Sequence, residues 1–257
     1  MADTPRRAFL TRLAAGAGAA VLAGCDKITQ SRRASDVLQR GAGLAYRVQR
    51  LLAGPNALAT EYSKADIAPV FRANGTVDPG SDSYNAHVAT GFRDWRITVG
   101  GLVDHPLSLS LADIRAMPAR TQITRHDCVE GWSCIGQWTG VPLRQIIARA
   151  RPLSTARYVI FHCADDMNRG GDARQFYYES LDLTEALHPQ TLLAYDLNGK
   201  PLPVANGAPI RLRAERQLGY KMAKYVTGME LVADFEKIRG GKGGYWEDLG
   251  YSWWGGI

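Results

Sequence analysis

The sequence predicts an α+β fold, mixed and strand-rich, with only short helices. Three observations predict it. Stretches of strand-like alternation and short amphipathic segments intermix without a regular βαβ period. No internal repeat is visible. A hydrophobic fraction of 46% with 22% charged residues over 257 positions suits a packed core of one globular domain, or two small ones.

The first 24 residues read as an address. Arg6-Arg7 followed by Ala8-Phe9-Leu10 matches the twin-arginine pattern, and the Ala/Gly-rich run from Leu13 to Ala23 is too short and small-sided to span a bilayer. Leu22-Ala23-Gly24-Cys25 resembles a lipobox, which predicts acylation of Cys25 and an anchor on the inner-membrane surface. The plainer alternative is an arginine pair before an incidental apolar helix, with Cys25 an ordinary thiol. Twin-arginine export carries folded proteins, so it suits a periplasmic enzyme that receives a cofactor before export.

Residues 25–60 read as a tether, with a helix from Ser35 to Leu52, and 61–257 as the functional domain. The Pro/Gly/Asn-punctuated stretch from Pro69 to Gly91 predicts loop. Trp95, Ile97 and Val99 alternate with Arg96 and Thr98 as in a half-buried strand. Ser110 predicts an N-cap for a helix through Ile114. Thr121 to Arg125 reads as a strand, Pro142 to Ala150 as an amphipathic helix, and Tyr158 to Phe161 as a buried strand. Ser180 to Ala186 suggests a capped helical turn. Ile210, Leu212 and Ala214 alternate with Arg211, Arg213 and Glu215, a strand with one basic face. Lys221 to Val232 has strand or short-helix character, and the tail is glycine-loosened and aromatic-rich.

The formal net charge of +6 owes part to the three arginines of the address, and no dense basic tract with interleaved aromatics follows, which argues against nucleic acid as a partner. The four cysteines, at 25, 128, 134 and 163, have neither CxxC nor CxxCH spacing, so neither a zinc knuckle nor covalent haem is signalled.

Two constellations carry chemistry. In RHDCVEGWSCIGQWTGVPL (125–143) a strand ends at Cys128, flanked by His126 and Glu130. A soft thiolate suits a redox-active metal, and nearby cations would keep it deprotonated. Gly131 and Gly136 would let backbone approach a bulky ligand. The plainer alternative is a buried structural thiol. In ANGAPIRLRAERQLGYKMAKYV (205–226) a turn delivers Arg211 and Arg213, with Lys221 and Lys224 returning nearby. Arginine forks and a lysine suit a phosphate, and a solvated basic face is the alternative.

These motifs, with FHCAD (161–165) and HPQTLLAYDLNGKPLP (188–203), together resemble the sulfite oxidase family of molybdopterin enzymes, and within it a bacterial periplasmic branch of sulfoxide reductases, from about Phe71 to Val232. The resemblance implies a sulfite-oxidase-type molybdopterin-binding fold and a single molybdenum cofactor, its metal held by two dithiolene sulfurs and Cys128 and cycling between Mo(VI) and Mo(IV). It implies cofactor contacts from Asn206, Arg211, Met222, Ala223 and Lys224. Cys163 stands where the branch has a cofactor-contacting threonine. Asn74 resembles the asparagine of an Arg-Asn-His motif whose histidine is missing, with Asn85 competing. His126 and Glu130 become candidates for tuning the metal or delivering protons. Trp132, Trp138 and the tail aromatics become candidates to wall a substrate funnel.

The family's sulfite oxidases carry basic residues just after the metal cysteine, whereas this chain has Val129-Glu130-Gly131. A carboxylate there repels sulfite by on the order of a kcal/mol, which favours an uncharged sulfoxide or related S-oxide, with a sulfite dehydrogenase as the alternative. With no haem motif, electrons are expected from a membrane b-type or periplasmic c-type cytochrome. With no room for an additional immunoglobulin-like domain, the catalytic subunit is expected to be monomeric. Two readings of other classes stay open: a non-catalytic lipoprotein that binds a pterin or other anion, and a thiol-redox protein in which Cys134 and Cys163 cycle as a disulfide.

Overall fold

The computed structural model describes residues 32–257 apart from 169, 170 and 172. The address and Cys25 lie outside the described residues. The chain divides into two compact units, one ending at Gln49 and one from Arg50 to Ile257. Helix α1 (Arg32–Ala53) meets the helix expected over 35–52. Among the described residues no helix is long and apolar enough to cross a membrane.

The Arg50–Ile257 unit is α+β, built on two five-stranded sheets. One orders β2 (Leu107–Ser110), β1 (Arg96–Gly101), β10 (Val226–Val232), β5 (Tyr158–Asp166) and β6 (Phe176–Asp182). Its pairings are antiparallel except β1 with β10, which run parallel with Thr98 opposite Gly228. The other orders β3 (Arg120–Asp127), β4 (Ser133–Pro142), β7 (Leu192–Leu197) and β8 (Lys200–Pro201), with β9 (Arg211–Arg213) on β7. Side chains from both sheets share one core, with Ile97, Phe161 and Leu231 from the first and Val141, Leu193 and Leu212 from the second.

Four short helices lie on this frame: α2 (Asp82–Ala89), α3 (Leu111–Arg115), α4 (Leu143–Ala150) and α5 (Leu183–Ala186), and α6 (Tyr245–Asp248) lies in the tail. In α4, Leu143, Ile146, Ile147 and Ala150 recur at helical spacing and all are buried, so the expected amphipathic helix forms by burying one stripe. Each large apolar side chain so buried contributes about 1.5–3 kcal/mol. The helix stops where Arg151 turns left-handed at φ 53°. Ser110 caps α3 as expected, in a reciprocal arrangement with Asp113.

The structure corrects two expectations and resolves a third. The stretch from Pro69 to Gly91 is not all loop, because Ser81 caps α2 and Tyr84 is buried within it. The expected turn at 180–186 starts later, with Asp182 rather than Ser180 as the cap, because Ser180 lies inside β6. The region after Lys221 is a strand from Val226, preceded by a short 3-10 turn at Gly219–Lys221.

Candidate active site

Cys128 follows the end of β3, on the turn that leads into β4. Its backbone N–H donates to the Trp132 carbonyl at 2.9 Å and its carbonyl accepts from Gly131 N–H at 3.1 Å. The sequence has Gly131 where the turn needs φ 83°. The turn presents the thiol to a cavity of about 150 Å³ that Asn74, Glu130, Asp165, Met222 and Lys224 also line. Cys128, Cys134 and Cys163 are all free thiols. Cys134 and Cys163 sit on strands of different sheets, β4 and β5.

The thiol is not pre-ionised by its neighbours. Burial pushes its pKa up and the Glu130 charge adds to that, against the Glu130 backbone N–H, then the Arg72 charge and last the Val129 backbone N–H. The expectation that nearby cations hold it as a thiolate is thereby corrected: deprotonation must come with whatever binds it. Glu130 is exposed at the cavity, its Oε2 accepting from Trp132 Nε1 at 2.9 Å.

The segment from Asn206 to Lys224 adjoins this cavity. Arg211 and Arg213 are both fully buried, so the solvated-face alternative is overturned. Arg211 donates Nη1 to the Asn206 carbonyl at 3.0 Å, while its Nε and Nη2 have no partner. Asn206 Nδ2 is likewise buried without an acceptor. Lys224 Nζ donates to the carbonyls of Asn74 at 2.7 Å, Ala205 at 3.1 Å and Thr76. Burial, followed by the Arg211 charge, pulls Lys224 down to about 7. Burial and then Arg213 pull Arg211 down to about 9. The local approach depends on Gly207 at φ 106°, where a Cβ would lie 2.9 Å from Lys224 Cβ and 3.2 Å from Arg211 Cβ.

A buried cation with unused N–H groups is costly unless an anion completes it. The donor set therefore fits an anionic, oxygen-rich group such as a phosphate. Met222 and Ala223 are buried on the same segment, and Met222 reaches the cavity wall. Asn74 has a buried, unpartnered Oδ1 on the cavity, whereas Asn85 is exposed on α2.

Other residues singled out in the sequence go elsewhere. His126 is fully buried and is not part of the cavity lining. Its Nδ1 faces Arg213 Nη1 at 3.0 Å, and burial and then the charges of Arg213, Arg211 and Lys224 hold the ring well below its ordinary pKa. Because a guanidinium only donates, Nδ1 accepts and Nε2 carries the proton. Gly219 lies against that edge; a Cβ there would sit 2.5 Å from Nε2.

Arg213 itself is spent on Glu215, in a fork with Nε–Oε1 at 2.9 Å and Nη2–Oε2 at 2.6 Å. Lys221 joins no phosphate grip; it pairs with buried Glu179 and with Glu247 at 2.6 Å. Cys163 lines a second cavity of about 380 Å³, with Tyr84, Trp95 and His162. Trp138 is wholly buried, with Arg213 4.3 Å from its ring centroid, so it walls no funnel. Sequence reasoning passed over several residues that line the Cys128 cavity, among them Asp165, two positions after Cys163, and Tyr220, beside Lys221. Neither had a local signal beyond the motifs already noted.

A model of the oxidoreductase molybdopterin binding domain family matches residues 85–237. The chain is 38% identical over 251 residues to a putative protein-methionine-sulfoxide reductase subunit, YedZ1, from Azospira oryzae, covering 98% of this chain and 87% of that one. It is also 38% identical over 161 residues to the protein-methionine-sulfoxide reductase catalytic subunit MsrP of Xanthomonas axonopodis, covering 60% of this chain and 48% of that one. That alignment spans about half of the MsrP protein. Among solved structures, the sulfane dehydrogenase SoxCD from Paracoccus pantotrophus matches with a TM-score of 0.49 and 19% identity over 58% of this chain and 40% of that chain. So loose a likeness carries no weight in assigning function.

Proposed function

The chain belongs to the oxidoreductase molybdopterin binding domain family, and from that premise we propose that it reduces an S-oxide at the Cys128 cavity, with the Cys128 thiolate as the protein's ligand to molybdenum. It is an oxidoreductase and its cofactor is molybdopterin. The observation that carries the site is the convergence on one cavity of a free thiol and Lys224, with the unused donors of Arg211 and Asn206 beside it.

The cofactor, when bound, supplies two-electron oxygen-atom transfer. Arg211, Asn206 and Lys224 hold its phosphate, and the anion restores the charge that burial takes from Lys224. Asn74, Met222 and Ala223 contribute further contacts, whereas Cys163, on β5, faces the second cavity and is left out of this grip. The 128–132 turn fixes the direction of the thiol. His126 acts as a positioning residue behind the cavity, its ring locked by Arg213.

The net reaction takes a sulfoxide, two protons and two electrons to a thioether and water. Glu130, exposed with Trp132 holding its Oε2, is the group at the mouth able to pass protons inward. Its charge disfavours sulfite, while the relatives' printed names point to methionine sulfoxide. The electrons come from a separate haem-containing partner, a membrane b-type or periplasmic c-type cytochrome. The reading includes twin-arginine export of a monomeric subunit to the periplasm, with a lipid anchor at Cys25.

The test is metal analysis of full-length protein matured in a host that makes the cofactor, followed by turnover with sulfoxides and with sulfite. The expected result is stoichiometric molybdenum and sulfoxide reduction. Cys128→Ala should keep the melting temperature and lose turnover by more than about a thousandfold. Normal turnover by that variant would sink the assignment of the ligand, and rapid sulfite oxidation would sink the S-oxide reading.

A further inference from the structure

Part of the Cys128 cavity is built from chain outside the shared family domain. The family match ends at residue 237, yet Trp246 and Tyr251 both line the cavity. Their rings stack, with centroids 5.3 Å apart at 29°. Tyr251 also meets Tyr220, a third lining ring, edge-on at 5.3 Å and 85°. Met222 and Lys224, on the side of the phosphate-type donors, come from the common domain, Asn74 and Thr76 from the chain before it, and an aromatic wall is added by the tail.

That wall is anchored. Glu247, beside Trp246, is fully buried and pairs with Lys221 at 2.6 Å. Tyr178 donates its hydroxyl to Asp248 at 2.6 Å, and Tyr220 donates its hydroxyl to the Ser252 carbonyl at 2.7 Å. Tyr251 N–H donates to the Trp246 carbonyl at 2.9 Å, and Leu218 N–H donates to the Gly255 carbonyl at 2.7 Å. Contacts on both sides of the ring pair hold it ready before any ligand arrives, which lowers the ordering cost of binding. Tyr251 nonetheless stays 42% exposed. A rigidly held aromatic face left open beside the Cys128 thiol is suited to meeting a ligand.

We propose that the Trp246–Tyr251 pair determines specificity, receiving the apolar substituent on the sulfur and selecting sulfoxides that carry a large apolar group over small, polar or anionic oxo compounds. This rests on the S-oxide reading above and names the substrate class within it. Aromatic rings reward apolar area and take sulfur favourably at their edges. Glu130 on the same cavity adds a charge that turns anions away.

The test compares kcat/KM for methyl p-tolyl sulfoxide and dimethyl sulfoxide, with a reduced viologen as electron donor and molybdenum-loaded full-length enzyme. Wild type should prefer the aryl sulfoxide by at least about tenfold, and Tyr251→Ala should erase most of that ratio through KM. Trp246→Leu should act in the same direction, while Leu249→Ala, exposed and off the cavity, should leave the ratio as it is. A second measurement needs no turnover: methyl p-tolyl sulfide should quench tryptophan fluorescence in wild type and bind at least about fivefold more weakly to Tyr251→Ala. Equal ratios, or equal sulfide binding, in wild type and Tyr251→Ala would overturn the proposal. If no sulfoxide turns over at all, the S-oxide reading fails, and the sulfide titration still decides whether the ring pair binds apolar sulfur compounds.

Discussion

Arg211 and Arg213 stand two residues apart on one short strand, are equally buried, and do opposite things. Arg213 is closed upon itself: Glu215 takes two of its nitrogens, His126 a third, and Gln122 Nε2 donates to Glu215 Oε1 at 2.9 Å. Arg211 has a single hydrogen-bond acceptor, the Asn206 carbonyl, with the Trp138 ring 5.0 Å away and two nitrogens left over. For these two arginines burial does not separate the structural from the functional; a paired carboxylate on one and unused N–H groups on the other do. A finished network belongs to the fold. An unfinished one describes the molecule that completes it.

The largest expected effect tests the finished side. Arg213→Met leaves the Glu215 carboxylate buried without its partner and should cost about 3–5 kcal/mol in urea unfolding of the cofactor-free protein. Arg211→Met should go the other way, leaving that protein unchanged or more stable by about 1–4 kcal/mol, because it removes a poorly compensated charge. Its molybdenum content after maturation should fall by at least about tenfold. If both variants destabilise equally, the contrast between the two arginines is wrong.

Two pH effects sharpen the comparison further. Lys224 lies near 7 in the cofactor-free protein against an ordinary value of 10.5. Between those values the unfolded chain holds a proton that the folded one lacks, so stability should rise as pH climbs from 7 to 10. A phosphate needs the charged form, so binding of inorganic phosphate should weaken above pH 7 and take up a proton, as calorimetry in buffers of different ionisation enthalpy would show. Binding that is flat with pH would remove Lys224 from the anion site.

The smallest effect belongs to the closed side again. His188 donates to the Ala57 carbonyl, and burial, then Arg216, lower it to about 4. Between 6.5 and 4 the unfolded chain binds the proton first, so stability should decline as pH falls through that window. His188→Gln should flatten the decline, by an amount read from melting temperatures across that range.

Much of this was legible in the sequence, with informative exceptions. The α4 stripe and the Ser110 cap are local signals and were readable as such. The alternation at 210–215 revealed the strand but not which face was inside, since an arginine row usually turns to water. Strand β7 is buried on both faces, so LLAYDL shows no alternation to read. Helix α2 hid because Pro/Gly punctuation surrounds its eight residues. The motifs located Cys128 and Lys224, yet that one cavity joins them is a tertiary fact. The Lys221 contacts with Glu179 and Glu247 span 42 and 26 residues, and no spacing rule reaches so far. For the same reason the sequence sets Lys221 beside Lys224 and the arginines, whereas the fold pairs it with Glu179 and Glu247.

The one parallel pairing in the first sheet has its own consequence. Because β1 lies beside β10, the strand made earliest in that sheet waits for the one made last, more than a hundred residues later. Until residue 232 has been synthesised, β1 has only β2 to lean on, and Ile97 and Val99 lack the neighbours that bury them. Such distant closure is slow, and until β10 arrives it leaves an edge of β1 open to capture by other chains.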